Sequence, residues 1–171
     1  MKPLRAQAGA DETRAGRKPR WLTPEEERAW RAYRRMNRLL YARVAADLAD
    51  ESGLSDADYD VLSNLTESDD HAWRFKELAN RLQWSTSRLS HQLSRMEQRH
   101  LVRREELDGD GRGAMVRLTS NGWRAIERAA PNHVESVRRH FVDALSKRQL
   151  AALADIAQTV IRKLCPREPV S

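Results

Sequence analysis

The sequence predicts a mainly α-helical chain with a small β-wing, a winged helix-turn-helix flanked by N- and C-terminal dimerisation helices. Three observations point there. Residues 75–119 run as a short apolar-stepped helix, a tight connection, a Ser/Arg/His/Gln-rich second helix and two strand-like runs around a glycine-laced tip. Positive charge gathers on that unit: residues 74–124 hold eleven Lys/Arg against six acids, whereas residues 53–73 hold six acids and no Lys/Arg. Long apolar stripes precede and follow it, more than a 171-residue chain needs around one small core. A helix that can enter a groove, beside a basic wing, suits the phosphate-and-base surface of duplex DNA rather than a small metabolite.

Along the chain, residues 1–20 carry six Lys/Arg, two acids, two Pro and two Gly without an apolar period, which reads as a disordered basic arm. A helix then starts at Thr23-Pro24-Glu25-Glu26: Thr23 can cap, Pro24 suits the first helical position and the glutamates favour the positive helix end. Trp30, Tyr33, Asn37, Leu40, Val44 and Leu48 follow at steps of three and four, and Gly53 ends the run. Ser55 and Asp58 resemble a capping box with Asp in place of Glu, opening a short helix that buries Tyr59, Leu62 and Leu65. Residues 73–75 suggest a brief strand. Leu78, Ala79 and Leu82 then mark a short helix ending near Gln83 and Trp84.

Ser85 can cap the next helix, in which Leu89, Leu93 and Met96 face inward and Thr86, Ser87, Ser90, His91 and Ser94 outward. Residues 102–107 and 114–118 have the length of paired strands, and the glycine-rich segment between them makes a hairpin with Arg112 near its tip. Thr119 can cap a long helix with an inward stripe of Trp123, Ile126, Ala130, Val134, Val137, Phe141 and Leu145, kinked at Pro131. Ser146 opens the last one, where Leu150, Leu153, Ala157, Val160 and Leu164 keep a heptad-like step. A symmetric dimer would bury both terminal stripes and set two reading helices one DNA turn apart; packing of the same helices within one subunit is the alternative.

Composition excludes several classes. The net charge of +6 favours a polyanionic partner. A single cysteine, Cys165, rules out an intramolecular disulfide framework and suits a reducing cytoplasm; an inert thiol and an oxidant-sensing one are both compatible with it. No signal-like apolar segment opens the chain and no run approaches the roughly 20 apolar residues of a membrane span, so a cytoplasmic protein is expected. No metal or cofactor is expected: the five histidines lack a chelating spacing, and His133 and His140, seven apart on one helix, are about 10 Å apart by helical rise. An enzyme is not expected either, because the chain lacks a G-x-S-x-G elbow, a phosphate-cradling glycine loop, H-E-x-x-H and paired cysteine ligands.

Leu78-Ala79, Ser87-Arg88-Leu89-Ser90, Arg95-Met96-Glu97 followed by Leu101-Val102-Arg103, and Asp110-Gly111-Arg112 leading into Leu118-Thr119-x-x-Gly122 together resemble the MarR family of dimeric winged helix-turn-helix transcription regulators. The resemblance spans residues 24–165. It implies one domain over residues 21–165, with 21–52 and 120–165 as dimerisation helices, 55–119 as the winged helix-turn-helix and 166–171 as a tail. It also implies a recognition helix at residues 85–98 in the major groove, and a wing whose Asp110 and Arg112 match the family's Asp-x-Arg, with the arginine in the minor groove. Similar members often repress genes and release DNA when a small aromatic or phenolic ligand enters a cleft between the dimer helices and the DNA-binding lobe. The chain departs from the pattern in three places. His100 replaces the usual glycine after the recognition helix, so a non-glycine takes φ > 0 there; Lys76 stands where a capping Ser or Thr is common; and the N-terminal reactive cysteine of oxidant-sensing members has no counterpart.

The expected DNA-binding residues are therefore Thr86, Ser87, Arg88, Ser90, His91, Arg95 and Arg112. Ser87, Ser90 and His91 lie opposite the apolar face and carry donors and acceptors suited to base edges, against a reading as solvated surface. Arg88 and Arg95 are expected to straddle the groove walls on phosphates, with an ion pair to Glu97 or a neighbour as the structural alternative. Thr86 offers a phosphate hydrogen bond, and Arg112 a guanidinium for a narrow minor groove. Among Arg103, Arg104 and Arg117, one is expected to pair with Asp110 or Glu105 and hold the wing. Trp30, Tyr33, Asn37, Arg38 and His133 are candidates for a ligand cleft, although aromatic stripes at this spacing also serve as plain core. The expected partners are a pseudo-palindromic duplex, a second copy of the chain and a small aromatic effector; a nonspecific architectural DNA-binding protein is the competing reading.

Overall fold

Nine helices and strands follow from the local signals above, and one 3-10 turn adds to them, in a computed structural model that describes residues 19–106 and 114–165. The basic arm, the wing tip with Asp110 and Arg112, and the tail lie outside the described residues. Helix α1 spans Pro24–Ser52. Its portion up to Met36 belongs to the first of two compact units: Glu26 N donates to Thr23 Oγ1 at 3.2 Å and Thr23 N to Glu26 Oε2 at 2.8 Å, a reciprocal cap. Trp30 and Tyr33 stack at 5.8 Å between ring centroids, and each is 51% exposed.

From Asn37 onward the chain forms the second unit. Val44 and Leu48 are the buried residues of α1, and Gly53 ends it at φ +67° in open space. Helix α2 (Asp56–Thr66) begins with the expected box, Ser55 Oγ accepting from Asp58 N while the Asp58 carboxylate accepts from Ser55 N at 2.9 Å. Strand β1 (Ala72–Arg74) starts one residue earlier than the sequence suggested, since Ala72 is the residue that turns into the core. Helix α3 (Phe75–Arg81) follows it directly. Arg74 occupies the cap without a side-chain hydrogen bond, so Lys76 lies inside the first turn rather than at the cap. The helix stops at Arg81, short of Gln83, because Gln83 takes φ 52°.

Helix α4 (Thr86–Gln98) is capped by Ser85, and His100 beyond it adopts φ 56°, the left-handed conformation expected of a residue in a glycine's place. Strands β2 (Val102–Glu106) and β3 (Ala114–Leu118) pair antiparallel with Val102 opposite Leu118, and β1 adds to the other side of β3, giving the order β1-β3-β2. The core lies between α2, α3, α4 and this sheet: Val61, Leu62, Leu65, Leu78, Leu89, Leu93, Met96 and Val116 have essentially no exposed surface. Burying a side chain of that size contributes about 1.5–3 kcal/mol, so this cluster is what holds α4 in place.

Helix α5 (Ser120–His140) passes through Pro131 without ending, and Thr119 caps it by accepting from Gly122 N. Its inward line differs from the expected one. Gly122, Ile126, Ala129 and Ser136 are buried, while Trp123 and Val134 are 41% and 55% exposed. Small residues win the inner face because α5 starts pressed against the backbone of Leu101, with room for no side chain at Gly122. The stripe does not reach Leu145 as a helix: α5 stops at His140 and a 3-10 turn, Val142–Ala144, intervenes. Ser146 then caps α6 (Lys147–Leu164) in a full box with Gln149. No residue of α6 is buried, and Ile156, Val160, Ile161 and Leu164 are all more than half exposed. Among the described residues no helix is long and apolar enough to cross a membrane.

Candidate nucleic-acid interface

The turn between α3 and α4 is built from backbone bonds. Trp84 N donates to Ala79 O at 2.9 Å and Gln83 N to Asn80 O at 3.1 Å, which folds α4 back across α3. Ser85 Oγ then accepts from Arg88 N at 3.2 Å. With Leu89, Leu93 and Met96 turned into the core, helical periodicity leaves Thr86, Ser87, Arg88, His91 and Arg95 exposed and Ser90 partly so. All six helical residues singled out in the sequence thus lie away from the core on one element; the seventh, Arg112, lies outside the described residues.

Two arginines depart from the expected arrangement. Arg88 and Arg95 are seven residues apart, which is within about 20° of two full turns, so they share one side of α4 instead of straddling it. Neither pairs with Glu97. The Arg88 guanidinium lies 4.0 Å over the Trp84 ring, a cation–π contact at the turn. Arg95 donates to Gln92 Oε1. Glu97 is taken by Arg104 of β2, whose Nε reaches Oε2 at 3.0 Å and whose backbone N reaches Oε1 at 3.0 Å. The Arg104 hydrogen bond holds the Glu97 carboxyl below the usual carboxylate range, against some desolvation. Strand β2 and helix α4 are therefore tied together.

Glu105 anchors the rest of the wing. Arg103 pairs with it at 2.7 Å and Arg117 at 3.1 Å, and Arg117 also donates to Asp70 O at 2.9 Å. The expected Glu105 pairing thus forms twice. A contact with Asp110 lies outside the described residues. On α3, Arg81 stacks 4.5 Å over Trp73 and pairs with Glu67 of the acidic segment at 2.6 Å. Sequence reasoning missed the Trp84–Arg88 and Trp73–Arg81 stacks. The Trp84–Arg88 spacing of four residues was a usable signal only if the chain before Ser85 had been known to turn there.

The candidates for a ligand cleft fall in both units. Trp30 and Tyr33 belong to the N-terminal unit; Asn37 is partly buried and Arg38 exposed. His133 packs against Tyr59 of α2 with ring centroids 4.1 Å apart, and its Nδ1 is buried without a hydrogen-bond partner. Burial pushes its pKa down, opposed by Asp56, so the ring is neutral at neutral pH.

Asp47, Ser136 and His140 lie together without making a nucleophile. Ser136 Oγ donates to Asp47 Oδ2 at 2.8 Å, and His140 Nε2 lies 2.8 Å from the same oxygen. These bonds, Ser136 first, draw the Asp47 pKa down. A catalytic serine needs its hydroxyl on the imidazole and the carboxylate behind that ring. Here both groups converge on the carboxylate, and the set pins α1 to α5. Among the described residues no cluster of His, Cys, Asp and Glu fits a metal ion.

Comparison with known proteins agrees with this geometry. Residues 52–113 match the model of the MarR family. The HTH-type transcriptional regulator PecS of Dickeya dadantii is 31% identical over 101 residues, 58% of this chain and 61% of PecS, so the chain matches less than two thirds of that relative's length. Two Streptomyces coelicolor structures described as MarR family transcriptional regulators are similar over nearly their whole length. AbsC is 41% identical with a TM-score of 0.80, covering 87% of this chain and 100% of AbsC. Sco3205, solved in complex with DNA, is 37% identical with a TM-score of 0.82, covering 90% of this chain and 96% of Sco3205.

Proposed function

The chain belongs to the MarR family of transcriptional regulators, and from that premise we propose that it binds a pseudo-palindromic duplex as a homodimer, represses transcription there, and is released by a small aromatic or phenolic ligand. The observation that carries this reading is the outward face of α4, where hydroxyls, an imidazole and two guanidiniums stand on a helix whose other face is locked in the core. Ser87, Ser90 and His91 read base edges in the major groove. Thr86, Arg88 and Arg95 hold phosphates, with Arg88 kept in its fork geometry by Trp84. Arg112 enters the minor groove. Residues 21–52 and 120–165 form the dimer layer, for which the exposed apolar residues of α6 argue, and residues 55–119 the winged helix-turn-helix. The neutral His133 beside Tyr59 suits the ring of a planar effector. A hundredfold loss of operator affinity on effector binding needs about 2.7 kcal/mol of coupling; titrating bound operator with phenolic acids measures it, and an unchanged affinity removes that effector class. In this reading the protein performs no covalent chemistry.

Two variants separate the contacts. Arg112→Ala should weaken operator and scrambled duplex alike and flatten the slope of log K against log salt by up to about 1, because a cation on backbone charge releases counterions at any sequence. His91→Ala should weaken the operator alone, by roughly 1–3 kcal/mol, and leave the slope almost unchanged, because a neutral edge reader gains only at the correct base. Equilibrium binding to both duplexes at several salt concentrations checks this. An Arg112 variant with wild-type affinity and slope removes the wing from the interface. The competing reading, a nonspecific architectural protein, predicts no difference between the duplexes for any variant.

A further inference from the structure

Asp58, Gln92 and Ser136 are the buried polar or charged residues among those described, and Asp58, at 2% exposed, is the only acid of the three. As a capping residue it needs only one oxygen, the Oδ2 that accepts from Ser55 N at 2.9 Å and from Ser55 Oγ at 2.8 Å. It does more than cap. The same Oδ2 accepts from Arg99 Nη1 at 2.7 Å, and Oδ1 accepts from Gln92 Nε2 at 2.7 Å. Arg99 Nη2 continues to Gly53 O at 3.0 Å, and Gln92 Oε1 accepts from Arg95. One carboxylate therefore joins the end of α1, the start of α2, the buried side of α4 and the cap behind it. The Arg99 side chain is 44% exposed, so only the carboxylate leaves water; burying a charge is a poor way to gain stability, since an apolar residue of similar volume does as well or better. What directional bonds supply, and Leu89, Leu93 and Met96 do not, is a fixed rotation and slide of α4 against α1.

We infer that Asp58, with Arg99 and Gln92, is a positioning centre that sets the angle of the reading helix against the dimer layer and thereby the half-site spacing the dimer accepts. The inference rests on the proposed function. Moving one half-site by a base pair displaces it about 3.4 Å and rotates it about 34°. A rigidly held α4 cannot follow that change; a loosened one can.

The test uses the full chain and its preferred duplex, together with two versions whose half-sites are one base pair closer or further apart. Asp58→Asn and the double variant Asp58→Asn with Arg99→Met both keep an oxygen for the Ser55 cap, and the double variant leaves no unpaired buried charge. Val61→Ala, in the core of α2, is the control for lost stability alone. The wild type should prefer its own spacing by about tenfold or more, as a lost base-pair contact would imply. The double variant should bind the three duplexes within about threefold of one another, whereas Val61→Ala should weaken all three and keep the tenfold preference. A double variant that keeps the wild-type preference overturns the inference alone. A wild type that binds scrambled duplex equally well overturns the proposed function, and the inference with it.

Discussion

Replacing Leu153 and Val160 of α6 together with glutamate is expected to abolish the dimer and to lower operator affinity by more than about a hundredfold. In the single chain, Val160 is 51% exposed and Leu153 only partly covered, while Ile156, Ile161 and Leu164 beside them are 59%, 55% and 73% exposed. If the chain works alone, the charge at Val160 is a surface substitution, no more than about 0.5 kcal/mol, and the one at Leu153 loses only part of a leucine's burial, about 1–2 kcal/mol. If a second copy covers the face, each carboxylate is buried without a partner, at several kcal/mol apiece. The two readings therefore differ by a wide margin. A monomer holds one half-site, so the chelate gain from the second is lost as well. Light scattering at micromolar concentration, paired with thermal melts, distinguishes a folded monomer from an unfolded chain. An intact dimer would remove the seam from α6.

Gly122→Ala is expected to be the most destabilising single methyl in the described fold, at about 3 kcal/mol, the upper end for overpacking. A Cβ there would stand 2.0 Å from Leu101 O and 2.7 Å from Leu118 Cδ1, and the first of these is backbone. The same carbonyl accepts from Thr119 N at 3.2 Å and Thr119 Oγ1 at 3.1 Å, so the start of α5 cannot retreat without losing its cap and its tie to β2. In a chain of this size the change should lower Tm by roughly 6–12 °C. Gly53→Ala supplies the contrast. Its φ of +67° strains any side chain, but nothing lies within 4 Å, so about 1 kcal/mol is expected there. Calorimetry on the two variants checks the order; equal losses would show that close approach at Leu101 is not what selects glycine.

Local chemistry was legible in the sequence, and long-range chemistry was not. Thr23, Ser55, Ser85, Thr119 and Ser146 each cap the helix they announce, because a cap and its target are three residues apart. The apolar face of α4 follows in the same way from spacing, and the left-handed His100 from the family resemblance, which implies a glycine there. The inner face of α5 is not decided by its spacing, since its steps of three and four fit two adjacent rows, and the choice between them is made by Leu101, twenty-one positions before Gly122. Asp58 looked like a cap and no more. Its partners Gln92 and Arg99 are thirty-four and forty-one residues away, a distance over which polar residues carry no periodic signal. Among the candidate contacts, Ser87 and His91 were identifiable from the helix face alone, but Arg88 stacking on Trp84 required the geometry of the turn.

The central claim is that α4 of a dimer reads sequence. Its most direct test is competition for a labelled duplex from the DNA flanking the protein's own gene, using unlabelled specific and scrambled duplexes at physiological salt, with the binding stoichiometry read from the same titration. Two chains per duplex and a preference for the specific site of at least about a thousandfold are expected. Equal competition by the scrambled duplex, or one chain per site, would contradict it.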